Sequence, residues 1–553
     1  MVYPKIPLAQ SIIEICLAKG VKNIVISPGS RNAPLTLGFV NNSEFNCYSI
    51  ADERCAAFFA LGIAKQIQKP VAVVCTSGSA LLNYYPAFSE AFYSQIPLIV
   101  ISADRPQSKI DIGDGQTIRQ ENVFKNHSLY NANLTEEASV ANDIKINKAI
   151  NRSISKKGPI HINAPFEEPL YQTVSKLDVD VNILEIKEVK IKSVVKNSNK
   201  YASIWNSSKK KLILVGENPP NEIEEEILNK LANDDSVVVF TETTSNLHHP
   251  AFLNHIDAII TPFTHLDFEN FKPDILITFG GMVVSKRIKA WLRAYQPMHH
   301  WHIDPLRGYD TYGCLTKHFK LKPALFFNQF LTLTTSIKSN YKSVFTEIAK
   351  YREKKHKEYL RDIPFSDFKA FELIIPFLPQ NSVLHLSNSS PIRYAQLVGI
   401  ASSIEVFCNR GTSGIDGSTS TAIGFAVTSE KQNILITGDV GFLYDSNALW
   451  NNYIPNNFKI ILINNGGGGI FRILPGHEEN QVFNTFFETS HCLTAENLAK
   501  MYGFDYITGS DEDSLQNGMS MLFSQKKIPA IIELFTPTRK NDQILLDYFK
   551  ALR

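Results

Sequence analysis

The chain has 553 residues, 44% hydrophobic and 20% charged, with 56 Lys and Arg against 54 Asp and Glu for a net charge of +2. That balance is that of a globular chain long enough for about three domains, and it gives no whole-molecule attraction to nucleic acid. No uninterrupted apolar run reaches the ~20 residues of a membrane span, and Met1 to Gln10 lacks the apolar core of a signal peptide, so the expected location is the cytoplasm.

In chain order, Asn23 to Ile26 is expected to be a short buried strand running into Ser27-Pro28-Gly29-Ser30-Arg31. Such a turn can present hydroxyl and guanidinium donors to an anion, although by itself it is an ordinary strand-to-helix turn. Tyr48-Ser49-Ile50 then leads into Asp52-Glu53-Arg54 and an apolar helix from Cys55 to Ala64. An acid there can be plain helix-start chemistry, since the dipole favours it. Two more pairs follow: Val71 to Cys75 with Thr76-Ser77-Gly78-Ser79-Ala80, and Leu98 to Ser102 with Ala103-Asp104-Arg105-Pro106. Four successive strand ends with polar or glycine-rich turns are expected to line one edge of one sheet, where a cleft is expected.

Two lysine-rich passages divide the chain, Ile186 to Lys200 and Glu347 to Asp362, the second expected to be an exposed charged helix. Between them, Lys211 to Val215, Val237 to Phe240 and Ile275 to Phe279 are expected strands separated by polar helical stretches. The expected fold class is α/β: three consecutive domains of parallel sheets flanked by helices, over residues 1–185, 201–345 and 363–553. No short repeat appears. The middle domain has no glycine-rich nucleotide fingerprint, so neither FAD nor NAD is expected there. Seven cysteines lie scattered without a Cys-x-x-Cys pair, which argues against a zinc ribbon or disulfide framework.

The densest chemistry lies between Gly438 and Phe471. An expected strand ends in Gly438-Asp439, a helix carries Asn447 to Trp450, and a second strand, Lys459 to Ile463, ends in Asn464-Asn465 and four glycines. Gly-Asp alone is often only a turn, and Asn-Asn-Gly-Gly is a common loop composition. Spanning one β-α-β unit, however, they put an acid and an amide beyond the carboxyl ends of neighbouring strands. Mg²⁺ takes hard oxygen ligands and shares its shell with phosphates, so Asp439, the Asn465 amide oxygen and the Gly467 carbonyl form a candidate Mg²⁺-diphosphate site.

This pairing resembles the metal motif of thiamine-diphosphate-dependent decarboxylases and synthases. More closely, SPGSRNAPL (27–35), DER (52–54), TSGSA (76–80), ADRP (103–106), GQTIRQ (115–120), GPIHINAPFEEPLY (158–171), SKR (285–287), NRGTSGIDG (409–417) and GGIFRILP (468–475) resemble the 2-succinyl-5-enolpyruvyl-6-hydroxy-3-cyclohexene-1-carboxylate synthases, the MenD family of menaquinone biosynthesis. The resemblance runs from about Ser27 to Pro475 and so covers all three domains. It implies a pyrimidine-binding domain, a central domain and a diphosphate domain, with thiamine diphosphate and Mg²⁺, or Mn²⁺, as cofactors. It also implies decarboxylation of 2-oxoglutarate and conjugate addition of the four-carbon unit to isochorismate.

By resemblance, Glu53 is the catalytic glutamate that relays a proton to the aminopyrimidine; a carboxyl at the head of an apolar helix can keep a proton, because burial disfavours its charged form. Pro28, Thr76, Ser77, Gly78, Ser413, Gly414, Gly438 and Ile470 would line the cofactor, and Ile415 would wedge it into a bent shape. Asp439, Asn465 and Gly467 would hold the metal. Ser389, Arg393 and Arg410 would hold the part derived from 2-oxoglutarate. Ser30, Arg31, Gln116, Lys286 and Arg287 would face isochorismate, with Ile470, Phe471 and Leu474 as an apolar wall. Arginine forks suit carboxylates, and both substrates are polyanions. Arg105 and Arg472 also lie in matching loops, where simple solvation is the competing reading. Gly115 stands where the family commonly has Asn, Gly466 replaces the third Asn of the metal loop, and Val440 replaces a glycine. The family further implies a homodimer or tetramer with the active site at a subunit interface. Two rivals remain: another thiamine-diphosphate enzyme, such as an acetohydroxyacid synthase or 2-oxoacid decarboxylase, and a non-enzymatic descendant of the fold.

Overall fold

The computed structural model describes residues 2–186, 194–473, 476, 478–524 and 527–553. Three wholly parallel sheets follow one another along the chain, as expected for an α/β protein in three parts. In spatial order the first contains Asn46–Ser49, Asn23–Ile26, Val71–Cys75, Leu98–Asp104, Ile160–Pro165 and Asn131–Asn133. The second contains Val237–Phe240, Lys211–Val215, Ile275–Phe279, His299–Ile303 and Leu315–Phe319. The third contains Glu405–Phe407, Val383–Leu386, Asn433–Gly438, Phe458–Asn464, Ala530–Phe535 and Asp505–Gly509. Central strands such as Val71–Cys75 and Phe458–Asn464 are buried along their whole length, as parallel strands covered on both faces must be.

Numbered by order of appearance within each sheet, the first and third sheets both run 2-1-3-4-6-5. The chain thus contains an architectural repeat that no short sequence period announces. In such sheets the strand order reverses between strands 1 and 3, and a crevice opens beyond their carboxyl ends. In the first sheet that switch point carries Ser27 to Arg31 and Thr76 to Ala80. In the third it carries Ser387 to Ser389 and Asp439. The sheet topology therefore delivers the polar turns to the two places where open α/β sheets bind ligands.

The two repeats share one apolar core. Its buried residues run from Val25 to Phe124 and from Ala422 to Ile531. The helix Glu53–Ile67 lies against the helix Ser418–Val427 at backbone contact: a Cβ on Gly62 would stand 2.1 Å from the Thr421 carbonyl oxygen, and one on Gly424 would stand 2.0 Å from that of Phe59. Alanine favours a helix interior over glycine by about 1 kcal/mol. A Cβ that close to rigid backbone outweighs this, so Gly424→Ala is expected to destabilise by about 1–3 kcal/mol, read as a lowered chemical-denaturation midpoint.

Two elements differ from expectation. The helix placed over Asn447 to Trp450 begins earlier, as Asp439–Tyr444, and gives way to a 3₁₀ turn over Ser446–Leu449. The buried Asp445 carboxylate accepts the backbone N–H and the hydroxyl of Ser420, which ties this residue across to the neighbouring helix and interrupts its own. The charged helix starts at Tyr341 rather than Glu347, because Tyr341 and Phe345 are buried against the middle sheet, and it ends at Asp362. Of the cysteines, Cys16, Cys55, Cys75 and Cys408 are buried, Cys492 is exposed, and all are free. No helix among the described residues is long and apolar enough to cross a membrane.

Candidate active site

Asp439 is the first residue of its helix and is 4% exposed. Its Oδ1 accepts the Val440 N–H at 2.7 Å, and its Oδ2 accepts those of Gly466 and Gly467 at 2.8 and 3.0 Å. The acid at one strand end is thereby tied to the glycine loop at the next. Gly467 has φ 153°, and a Cβ there would stand 2.9 Å from the Glu488 carbonyl oxygen, so the loop requires glycine at this point. The Gly467 carbonyl accepts Gly469 N–H at 3.0 Å and keeps a second lone pair. Asn465 donates its side-chain N–H to Asp367 Oδ2 at 2.9 Å, while Thr536 donates to the other Asp367 oxygen at 2.5 Å. With its nitrogen spent on Asp367, Asn465 has its amide oxygen left for a cation.

The electrostatics suit a cation as well. Burial pushes the Asp367 carboxyl up to about 6, and the neighbouring charge of Asp439 adds to the rise. Burial also raises Asp439, against its three N–H donors and His491, whose Nε2 lies 3.4 Å from Oδ2. A divalent ion beside Asp439 would relieve this mutual repulsion. Among the described residues no group of three His, Cys, Asp or Glu forms a metal cluster. The donor set here, one carboxylate, one amide oxygen and one carbonyl, is instead that of a hard ion completing its shell on phosphate and water. Ile415 lies over this helix: its carbonyl oxygen and Cβ stand 3.8 and 3.9 Å from where a Cβ on Gly441 would be.

In the first domain, Glu53 opens the helix Glu53–Ile67, with Asp52 capping it by accepting the Cys55 N–H. Burial first, and the Glu53 charge second, push the Cys75 thiol well up, which puts the carboxylate near the end of the strand Val71–Cys75. The turns that follow converge. Thr76 Oγ1 accepts Arg31 N–H at 3.3 Å, and the Gly78 N–H donates to Gln120 Oε1 at 2.8 Å. Gly78, at φ 89°, is packed so that a Cβ would stand 3.3 Å from the Gln116 carbonyl oxygen. The Ser77 hydroxyl is buried without a hydrogen-bond partner among the described residues, and Pro28 and Ser30 are exposed in the single chain. The Arg31 guanidinium is 3% exposed and bound to the Phe166 carbonyl and the Glu168 carboxylate.

The third group lies where the middle and last domains meet. Arg393 rides the helix Ser390–Ala395, and Arg410 donates to Asn388 Oδ1 at 2.6 Å. Burial, and then the proximity of Arg410, lower the affinity of Arg393 for its proton, so the two guanidinium groups share one environment. Both Nε atoms are buried without a hydrogen-bond partner among the described residues. Lys286 and Arg287 open the helix Lys286–Ala294, and the Arg287 guanidinium sits 4.4 Å from the centre of the Phe549 ring. Glu242, pushed up to about 7 by burial, accepts the N–H groups of Val284 and Ser285 at 2.6 and 2.7 Å and so shapes the loop before these cations. Gln116, Ser389 and Ser413 occupy the left-handed region at φ 56°, 75° and 61°, a strain that non-glycine residues carry where surrounding structure enforces it.

Other expected residues stand differently. Arg472 is not solvated: it is 2% exposed and bonded through Nε and Nη2 to Glu488 at 2.7 and 2.6 Å, which makes it a buried structural pair. Arg105 pairs with Asp114 at 3.5 Å. Ile470 is half-buried in the 3₁₀ turn Gly469–Ile473, and Phe471 is 37% exposed with its ring 6.3 Å from that of Phe487. Leu474 lies outside the described residues. Reading the sequence does not single out Asp367, Asn388, Glu242 or Glu90. For Glu90 a signal exists, since it is the one charge in the apolar helix Tyr85–Tyr93.

Family models agree with this architecture. Residues 6–128 match the thiamine pyrophosphate enzyme N-terminal TPP binding domain, residues 186–385 the middle domain of thiamine pyrophosphate enzymes, and residues 390–534 the C-terminal TPP binding domain. A 2-succinyl-5-enolpyruvyl-6-hydroxy-3-cyclohexene-1-carboxylate synthase of Flavobacterium johnsoniae is 66% identical over 553 residues, covering 100% of both chains. Proteins of the same name from Christiangramia forsetii and Phocaeicola vulgatus are 51% and 37% identical, covering 100% and 98% of each chain. With this identity over the full length of the chain and with all three thiamine pyrophosphate enzyme domains matched, the chain belongs to the family of 2-succinyl-5-enolpyruvyl-6-hydroxy-3-cyclohexene-1-carboxylate synthases.

Proposed function

We propose that the protein is a cytoplasmic transferase of menaquinone biosynthesis that joins the decarboxylated four-carbon unit of 2-oxoglutarate to isochorismate, using thiamine diphosphate and Mg²⁺, with Mn²⁺ as a substitute. The observation that carries this reading is the Arg393–Arg410 pair, whose buried Nε atoms have no hydrogen-bond partner among the described residues, with Arg393 on the helix that follows the strand Val383–Leu386, neighbour of the strand ending before Asp439. Asp257 acts on Arg393 and Glu242 on Arg410 only through space, and an entering dicarboxylate supplies the hydrogen-bonding partner that two adjacent buried guanidinium groups call for. Pyruvate-type chemistry needs fewer such partners.

In this reading Asp439, Asn465 and the Gly467 carbonyl hold the metal, which ties down the diphosphate. When bound, the cofactor supplies the electron sink for decarboxylation. Glu53 holds and returns a proton at its carboxyl oxygen; Pro28, Thr76, Ser77, Gly78, Ser413, Gly414, Gly438 and Ile470 line the cofactor, and Ile415 supports its shape. Ser389, Arg393 and Arg410 orient 2-oxoglutarate; Ser30, Arg31, Gln116, Lys286 and Arg287 orient isochorismate, and Phe471 and Leu474 exclude water. Residues 1–185, 201–345 and 363–553 act as pyrimidine, central and diphosphate domains of a homodimer or homotetramer whose active site lies between subunits.

The test is to incubate the protein with thiamine diphosphate, Mg²⁺ and 2-oxoglutarate, with and without isochorismate. Loss of isochorismate only when both substrates are present supports the assignment; comparable turnover of pyruvate alone overturns it. Arg393→Ala is expected to raise the KM for 2-oxoglutarate by about 10- to 100-fold, the worth of one or two charge-assisted hydrogen bonds. Unaltered 2-oxoglutarate kinetics would show that the division between substrates is wrong.

A further inference from the structure

Glu90 is a carboxylate of the first domain spent on the last. It is 1% exposed, and among the described residues no cation pairs with it. Its Oε1 accepts the Gly411 N–H and the Ser94 hydroxyl, both at 2.7 Å. Its Oε2 accepts the Thr412 N–H at 2.6 Å and the Thr412 hydroxyl at 2.8 Å. Two consecutive N–H groups on one carboxylate set the orientation of both peptide planes. The fit is close: a Cβ on Gly411 would stand 2.7 Å from the Glu90 carbonyl oxygen and 2.9 Å from its Oε1.

The other side of Arg410 is held as well. Lys65, also from the first domain, donates to the Cys408 carbonyl at 3.0 Å while paired with Glu217 of the middle domain at 2.6 Å. Arg410 therefore sits on a segment pinned before it by Lys65 and after it by Glu90. Its Nη1 reaches Asn388, which itself donates to the carbonyls of Asn409 and Gly414. Only the Glu90 side of this clamp depends on a carboxylate accepting main-chain N–H groups.

We propose that Glu90 is a positioning residue for recognition of the 2-oxoglutarate carboxylate: it acts through Gly411 and Thr412 to aim the Arg410 guanidinium, so that the first domain sets the specificity of a site on the last. This rests on the assignment of Arg410 to 2-oxoglutarate. Replacing the carboxylate by an amide turns one acceptor into a donor facing an N–H, which breaks one of the two hydrogen bonds from the Gly411 and Thr412 N–H groups while keeping the side-chain volume.

The experiment compares Glu90→Gln, Arg410→Lys and the double variant as holoenzymes, varying each substrate at saturation of the other. Glu90→Gln is expected to raise the KM for 2-oxoglutarate about tenfold while that for isochorismate changes less than about twofold. The double variant is expected to be no worse than Arg410→Lys, because both changes remove one interaction. Equal rises in both KM values, or no change beside a clear effect of Arg410→Lys, overturn the positioning role. If Arg410→Lys leaves 2-oxoglutarate use intact, the substrate assignment falls, and this proposal with it. Should Glu90→Gln fail to fold, Ser94→Ala removes one donor to the same carboxylate; a selective rise of about twofold to threefold supports the proposal, and unchanged kinetics overturn it.

Discussion

Glu53→Gln is expected to lower turnover by about 10²- to 10⁴-fold, the usual worth of a positioned proton donor and acceptor, while thiamine diphosphate still binds. The substitution keeps the side-chain shape, and the helix keeps its start, because Asp52 rather than Glu53 caps it. What is lost is the ability to hold and return a proton near the end of the strand Val71–Cys75, where the glutamate's charge is felt by Cys75 after burial has had the larger effect. Single-turnover decarboxylation with 2-oxoglutarate alone, beside calorimetric titration of the cofactor, separates chemistry from binding. A wild-type rate would remove Glu53 from the mechanism.

Asp439→Ala is expected to abolish the Mg²⁺-dependent part of thiamine diphosphate affinity, a loss of more than about 100-fold, since removing even an outer partner of a metal ligand costs about 10- to 100-fold. The side chain does two things at once. It supplies the only carboxylate of the candidate metal set, and it accepts the N–H groups of Val440, Gly466 and Gly467 that close the glycine loop. Alanine leaves those donors to water and frees the loop from its strand end. Cofactor titrations with and without Mg²⁺ read the effect, with circular dichroism checking that the sheets persist. Equal affinities for variant and wild type, with the metal present, would refute the metal assignment.

Much of this molecule is written locally. Asn23–Ile26, Val71–Cys75, Lys211–Val215, Val237–Phe240 and Ile275–Phe279 stand where short apolar runs put them. Such runs have few alternatives once both faces are covered. Turn residues after them were equally legible, because glycine, hydroxyl and acid at a strand end have local meaning. Residues that act through another element left no such mark. Asp367 and Asn388 sit far along the chain from the groups they hold, and Glu242 looks like any acid after a strand. Arg472 read as a loop cation, and only its buried partner Glu488 shows it to be a strut.

By itself, the sequence determined the fold class, the family and the inventory of polar turns, because apolar periodicity and short motifs are properties of neighbouring residues. The tertiary structure alone decided that the first and last sheets repeat one strand order and so place these turns at equivalent switch points. It alone decided that Glu90 and Lys65 of the first domain pin the segment carrying Arg410. Strand order and cross-domain hydrogen bonds depend on which surfaces pack together, and packing joins residues hundreds of positions apart without leaving a local pattern to read.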